Sequence, residues 1–262
     1  MILDELALAT RKRVAARKQE VSLAQIREQA VSLAMQEKAF TFPFERAMEK
    51  TDISFICEVK KPSPSKGIIA EEFPYLDIAR EYEKAGADCI SVLTEPDYFK
   101  GNDRYLQEIS QTVKIPTIRK DFIVEEYMIY EAKLLGASCV LLIAALLDTK
   151  TIEAYLKICD SLGLSALVEA HDEAEVRSAL TAGARMIGVN NRNLKDFTVD
   201  IHNSTRLRDR IPKEILFVAE SGIGTAEDIQ ILREHGVNGV LIGETLMRNP
   251  DKAAMLAMLR GI

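Results

Sequence analysis

Residues 57–67 read CEVKKPSPSKG, and they follow a largely apolar segment at 53–57. A glutamate and two lysines at the end of a buried segment are costly to desolvate unless something there neutralises or uses them. Side chains alternate along a strand, so Glu58 and Lys60 share one face and Lys61 takes the other. The same ending recurs down the chain. Apolar runs finish at Thr94 and Glu95, at Arg119 and Lys120, at Glu169, at Asn190 with Arg192, and at Glu220 with Ser221, whereas 140–145 carries no charge. Parity pairs Ile56 with Glu58 and Lys60, Ile118 with Lys120, Leu167 with Glu169, and Gly188 with Asn190. If the first member of each pair faces inward, Glu58, Lys60, Lys120, Glu169 and Asn190 converge on one place. Opposite charges buried together either neutralise each other or serve acid–base chemistry, and a set drawn from four strand ends points to chemistry.

The histidines do not join that set. His171, His202 and His235 lie in loop or helical contexts, and His171, two residues past Glu169, reads as a surface residue. No Ser–His–Asp or Cys–His arrangement is visible. Lysine is therefore the expected proton donor, its proton loosened by desolvation and by a neighbouring ammonium.

The elements that must position these residues announce themselves by repetition. YEKAGADCISVLT at 82–94, AKLLGASCVLLIA at 132–144, CDSLGLSALVEA at 159–170, ALTAGARMIGVN at 179–190 and LREHGVNGVLIG at 232–243 each run from a helical tail through a glycine into an apolar strand. Glycine suits the left-handed residue that ends a helix. An apolar, β-branched run suits a strand buried on both faces of a parallel sheet. Strands at 54–59, 115–119 and 216–220 bring the total to eight, ending near 59, 93, 119, 143, 169, 190, 220 and 242. Amphipathic stretches such as 75–85, 125–135 and 226–235 fill the intervals. Eight β-α units in this length predict a (β/α)8 barrel, with chemistry at the carboxyl ends of the strands. A doubly wound open sheet fits less well, since no G-x-G-x-x-G loop follows the first strand. The expected organisation is one barrel domain over 1–262, with a helical extension at 1–50 and the barrel at 51–262. The extension has helical composition at 3–17 and 23–37 and a break at Pro43. It could close the bottom of the barrel or lean over its catalytic top.

Two turns suggest what the site holds. The seventh strand runs into Ser221-Gly222-Ile223-Gly224 and the eighth into Gly243-Glu244-Thr245. Glycine turns leading into helices after these two strands form a phosphate cradle in many barrels, because main-chain N–H groups can approach the anion. Glu244 suits such a cradle only through its main chain, since a carboxylate repels a phosphate.

Composition narrows the rest. The chain has 262 residues and a formal net charge of −6, which argues against nucleic-acid binding. The basic run at 11–18 alternates with Val14-Ala15-Ala16 and reads as the solvated face of a helix. The four cysteines show no metal-ligand or C-x-x-C spacing. No signal peptide and no apolar run of spanning length are visible, so the expected location is the cytoplasm, with no membrane contact.

Taken together, these segments resemble the indole-3-glycerol phosphate synthase family. The resemblance rests on CEVKKPSPSKG at 57–67, SVLTEPDYFKG at 91–101, IRKDFIVEEYMIYEAKLLGA at 118–137, LVEAHDE at 167–173, IGVNNRNL at 187–194, AESGI at 219–223 and LIGETLMR at 241–248, in order and at barrel spacing. It implies a cofactor-free, metal-free, monofunctional carboxy-lyase of tryptophan biosynthesis acting on a small phosphorylated substrate, as a monomer or weak homodimer. It implies Lys120 as the acid of ring closure, Lys60 as its electrostatic partner or the acid of dehydration, and Glu58 as base. Glu169 would stabilise positive charge or hold Lys120, and Asn190 would orient substrate hydroxyls. Arg192 and Ser63 would hold a carboxylate, Phe122 and Leu142 would line an aromatic pocket, and Ser221, Gly222, Gly243 and Glu244 would cradle the phosphate. Many members of the family carry serine where Glu244 stands. Other phosphosugar barrels and non-catalytic phosphosugar binders remain the alternatives.

Overall fold

A computed structural model describes residues 2–61, 73–193 and 198–261. Three helices, α1 Ile2–Glu20, α2 Leu23–Ala34 and α3 Pro43–Met48, precede the first strand. The strands are β1 Ser54–Val59, β2 Cys89–Leu93, β3 Thr117–Lys120, β4 Cys139–Ile143, β5 Ser165–Ala170, β6 Met186–Asn190, β7 Leu216–Glu220 and β8 Gly239–Ile242. Between and after them run α4 Tyr75–Lys84, α5 Asp103–Thr112, α6 Tyr127–Leu134, α7 Thr149–Ser161, α8 Glu173–Thr181, α9 His202–Arg208, α10 Ala226–Glu234, α11 Glu244–Arg248 and α12 Lys252–Arg260. The eight strands close in sequence order into one parallel barrel, the (β/α)8 architecture that the repeats predict. The glycines of the repeats, Gly86, Gly136, Gly163, Gly183 and Gly236, all have positive φ where a helix turns into a strand. The third strand begins at Thr117 rather than 115 and reaches Lys120.

Two apolar layers hold the barrel. The larger lies between strands and helices and takes side chains such as Phe55, Val92, Val140, Leu142, Val168 and Phe217. The smaller fills the interior. Odd strands supply one interior tier, Ile56, Ile118, Leu167 and Val218, and even strands supply the tier below, with Cys89, Cys139 and Met186. Two residues further along each odd strand stand Glu58, Lys120, Glu169 and Glu220. The tier above an apolar tier is thus wholly ionisable.

The N-terminal extension serves both ends of the barrel. Phe44 and Met48 of α3 join the interior cluster from below, and a Cβ on Gly239 at the start of β8 would lie 2.5 Å from Met48 Sδ. Helix α1 runs beside the upper rim. Its Arg13 bonds both oxygens of Asp121, the residue after Lys120, at 2.9 and 3.2 Å. Its Arg17 pairs with Asp103 and, at 2.7 Å, with Glu131. These carboxylates also surround Arg119, which is fully buried and sits 2.9 Å from Asp103 and 2.7 Å from Glu131. Arg119 also donates to Thr94 Oγ1 and to the Met128 carbonyl. Removing one member of such a buried network costs about 3–5 kcal/mol, because it strands the remaining charge.

Candidate active site

The ionisable tier is assembled by strand parity. Glu58, Glu169 and Glu220 are buried, and the Lys120 side chain is 17% exposed. Lys120 Nζ sits 3.1 Å from Glu169 Oε2 and 3.3 Å from Glu220 Oε2. Asn190 Nδ2 donates to Glu169 Oε1 at 3.3 Å. Lys60, just past the end of β1, lies 3.3 Å from Glu58 Oε1 and is one-third exposed, at the edge of the opening. The five residues expected to converge are therefore together, and Glu220 is a sixth member.

Two glycines make room for the carboxylates. A Cβ on Gly188 would lie 2.3 Å from Glu220 Oε1 and 3.2 Å from Leu167 Cδ1. A Cβ on Gly243 would lie 2.4 Å from Glu58 Oε1. Gly188 is a strand residue without positive φ, so its use here is close approach rather than a turn.

The electrostatics separate the carboxyls. Burial works against the Lys120 ammonium, but Glu169, Glu220 and Glu58 outweigh it and raise its pKa above the ordinary lysine value. This corrects the expectation of a loosened lysine proton: the facing carboxylates dominate over desolvation and over any second ammonium. Burial likewise opposes the charge of Glu169, yet Lys120 and His171 hold it well below the usual carboxylate range. Glu220 goes the other way. Burial, reinforced by the charges of Glu169 and Glu58, pushes it up to about 7 despite Lys120. Two carboxyls against one ammonium thus have pKa values displaced in opposite directions.

The remaining expected residues fall as follows. Phe122 is half-buried against the interior cluster, 6.0 Å from the Phe99 ring. Leu142 does not reach the site. It is fully buried in the layer between strands and helices, whereas Leu141 and Ile143 face inward. The parity of β4 is set by Cys139 and excludes Leu142 from any pocket inside the barrel. Arg192 follows Asn190, and its main-chain N–H donates to Asn190 Oδ1 at 3.0 Å. Ser63 lies outside the described residues, as do Pro62, Pro64 and Gly67. Ser221 and Gly222 both have positive φ, 69° and 79°. For serine this is a strained conformation that persists only where its surroundings enforce it. Asn191 supplies that enforcement. Its Nδ2 donates to the Ser221 carbonyl at 3.0 Å, while its Oδ1 accepts from Ser204 N and Oγ. Glu244 pairs its side chain with Arg248 at 2.8 Å.

Thr94 and Glu95 do not join the site. Thr94 donates to Asp121, and Glu95 accepts from the N–H groups of Asp97, Tyr98 and Phe99, so both build the surrounding loops. His171 is not a surface residue. Its Nδ1 is 3.0 Å from Glu175 Oε2 and its Nε2 is 3.4 Å from Glu169 Oε1. Burial disfavours the charged ring, but these two carboxylates prevail and push it up to about 10. Glu220 carried a usable sign in the sequence, the two-residue spacing from Val218. His171 carried none, because its second partner arrives through the first turn of α8.

Comparison with known proteins accords with this geometry. A family model described as indole-3-glycerol phosphate synthase matches residues 3–259. The indole-3-glycerol phosphate synthase of Ruminiclostridium cellulolyticum is 58% identical over 261 residues, covering 100% of this chain and 99% of that one. That of Lachnoclostridium phytofermentans is 50% identical over 270 residues, covering 100% of both. Among solved structures, the 3-hexulose-6-phosphate synthase of Salmonella typhimurium superposes with a TM-score of 0.65 at 14% identity, over 79% of this chain and 96% of that one, a likeness of fold alone. The chain belongs to the indole-3-glycerol phosphate synthase family.

Proposed function

We propose that the six ionisable and amide side chains at the barrel mouth carry out the family's reaction in three steps. The reaction converts 1-(2-carboxyphenylamino)-1-deoxyribulose 5-phosphate to indole-3-glycerol phosphate, carbon dioxide and water. In the first step the ring carbon bearing the carboxylate attacks the sugar ketone. The Lys120 ammonium, held protonated by three carboxylates, donates to the ketone oxygen as it becomes a hydroxyl. Loss of carbon dioxide then returns the ring to aromaticity. In the last step the hydroxyl leaves as water while a proton is lost from the carbon next to nitrogen. Lys60, at the opening, is assigned to protonate the leaving group, and Glu58, 3.3 Å away, to take the proton.

Glu169 is fixed as an anion and suits two roles: orienting Lys120 and stabilising the positive charge that develops on nitrogen. Glu220, poised near neutrality, relays a proton to or from Lys120. Asn190 spans Glu169 and the main chain of Arg192, and is assigned to orient substrate hydroxyls. Phe122 with Phe99 offers an aromatic wall, and Arg192 and Ser63 are assigned to the substrate carboxylate. The phosphate is assigned to main-chain N–H groups of Ser221, Gly222, Gly243 and Glu244, since those of Gly224 and Thr225 already bond Asp228.

The observation that carries this reading is the Lys120 ammonium seated between Glu169 and Glu220 above an apolar tier. A phosphosugar binder needs the cradle but not this pair of contacts. The test is turnover: purified protein with the carboxyphenylamino substrate, followed by indole fluorescence. The folded wild type should form product, and Lys120→Ala should lose about 10²–10⁴-fold in kcat. Absence of product from folded wild type at micromolar concentration defeats the assignment.

A further inference from the structure

A groove of about 530 Å³ outside the fifth strand is lined in part by His171, and among the described residues lining it this ring is the titratable group paired with the reacting tier, through Glu169. Local structure fixes the ring. Asp172 caps α8, accepting from the N–H groups of Ala174 and Glu175. The same turn sends the Glu175 carboxylate back over His171, where Oε2 accepts from the His171 main-chain N–H at 2.8 Å and lies 3.0 Å from Nδ1. From α9, Asn203 Nδ2 donates to the His171 carbonyl at 3.1 Å. Nε2 is buried and faces Glu169 Oε1 at 3.4 Å, within ion-pair range though off the line of a hydrogen bond, with no hydrogen-bond partner among the described residues.

A neutral imidazole carries one N–H and one lone pair. With the proton on Nδ1, the Nε2 lone pair faces Glu169; with the proton on Nε2, the Nδ1 lone pair faces Glu175. Only the doubly protonated ring presents N–H to both carboxylates. We propose that His171 is a positioning residue, an imidazolium clamped between Glu175 and Glu169 that holds the Glu169 carboxylate ionised and aimed at Lys120. This deepens, and rests on, the assignment of Glu169 and Lys120 to the reaction. His171 and Asn190 occupy one oxygen of Glu169, which leaves the other to Lys120. The ring's two neighbouring carboxylates raise its affinity for the proton over the opposition of burial.

The other charges facing the ring do not reverse this. Arg206 is paired with Asp200 at 3.0 Å, and Arg210 with Glu173 at 3.6 Å. Asp172 and Asp209, which also line the groove, add negative charge. The consequence for the reaction is a division of labour. Glu169, flanked by two cations, stays a weak base, and proton traffic falls to Glu220 and Glu58.

The test has a direct arm and a kinetic arm. The sequence has three histidines, and His202 and His235 are exposed. NMR of the full-length protein can therefore follow each ring through a pH titration, with His202→Gln and His235→Gln giving the assignment. His171 should remain protonated through pH 8; a ring that is neutral at pH 7 overturns the proposal. This arm uses no substrate, so its failure is separable from failure of the assigned reaction. In the kinetic arm, Glu175→Gln removes the outer carboxylate without touching the reacting tier. It should move the His171 titration down by about one unit or more. His171→Gln should lower kcat about tenfold with KM within about twofold, since it alters the alignment of Lys120 rather than substrate binding. A folded His171→Gln enzyme with wild-type kcat across pH 6–9 also overturns the proposal.

Discussion

Gly188→Ala isolates the part played by Glu220. The added Cβ would lie 2.3 Å from Glu220 Oε1, so the carboxylate must retreat by about 1 Å to reach ordinary contact. The atom that moves is the tip of a side chain, which makes the fold tolerant. Overpacking should cost stability near the low end of the usual 1–3 kcal/mol, and Tm should drop by about 2–4 °C. Catalysis should be less tolerant. Glu220 Oε2 stands 3.3 Å from Lys120 Nζ, and a displacement of about 1 Å in such a group can cost about 10²-fold. The assay is initial-rate indole fluorescence at saturating substrate, with circular-dichroism melting on the same preparation. A large loss of kcat with a small loss of Tm supports Glu220 as part of the machinery. A folded Gly188→Ala enzyme whose kcat stays within threefold of wild type would remove Glu220 from it.

Three further outcomes follow from the same geometry. Lys60→Ala should lower kcat by about 10²-fold or more, and Lys61→Ala should change it by less than about threefold, because parity places only Lys60 beside Glu58; equal losses would contradict the parity. Glu220 has a folded pKa raised from 4.5 to about 7, so the stability contribution of its neutral form is complete below pH 4.5 and is lost as pH rises to about 7. Relative to Glu220→Gln, wild-type stability should therefore fall between about pH 4.5 and 7, by up to roughly 3 kcal/mol, as read by thermal melts at each pH. Asp121→Asn weakens the link from Arg13 of α1 to the buried Arg119, and should destabilise by a few kcal/mol in denaturant melts; a change below about 0.5 kcal/mol would show that the network carries no stability.

Period and parity explain how much of this site could be read in the sequence. A strand buried on both faces alternates strictly, so a single inward residue such as Ile56 or Ile118 fixes Glu58, Lys60 and Lys120 at once. The glycine that ends each helix marks where the next strand starts, and this made the barrel legible. Leu142 faces the helices rather than the pocket the sequence suggests, because β4 ends without a polar residue and nothing in its sequence fixes which parity faces inward. Long-range partners were not legible at all. The pairing of Arg13 with Asp121, and of His171 with Glu175 and Glu169, depends on how helices dock and how one turn folds back. The rise in the Lys120 pKa has a related reason. The sequence shows a desolvated lysine near another lysine, but not the distances at which Glu169 first, and then Glu220 and Glu58, outweigh the burial. The extension at the N-terminus left two roles open and uses both, with α3 below and α1 beside the upper rim.

On the proposed assignment, Lys120 meets the reacting ketone while the turns after β7 and β8 hold the phosphate. The most direct measurement is a crystal structure with the reduced substrate analogue, in which a hydroxyl replaces the ketone. That hydroxyl should lie within about 2.6–3.2 Å of Lys120 Nζ, with the phosphate on the main-chain N–H groups of Gly222 and Gly243. An analogue whose hydroxyl lies out of reach of Lys120, or whose phosphate binds away from both turns, would contradict it.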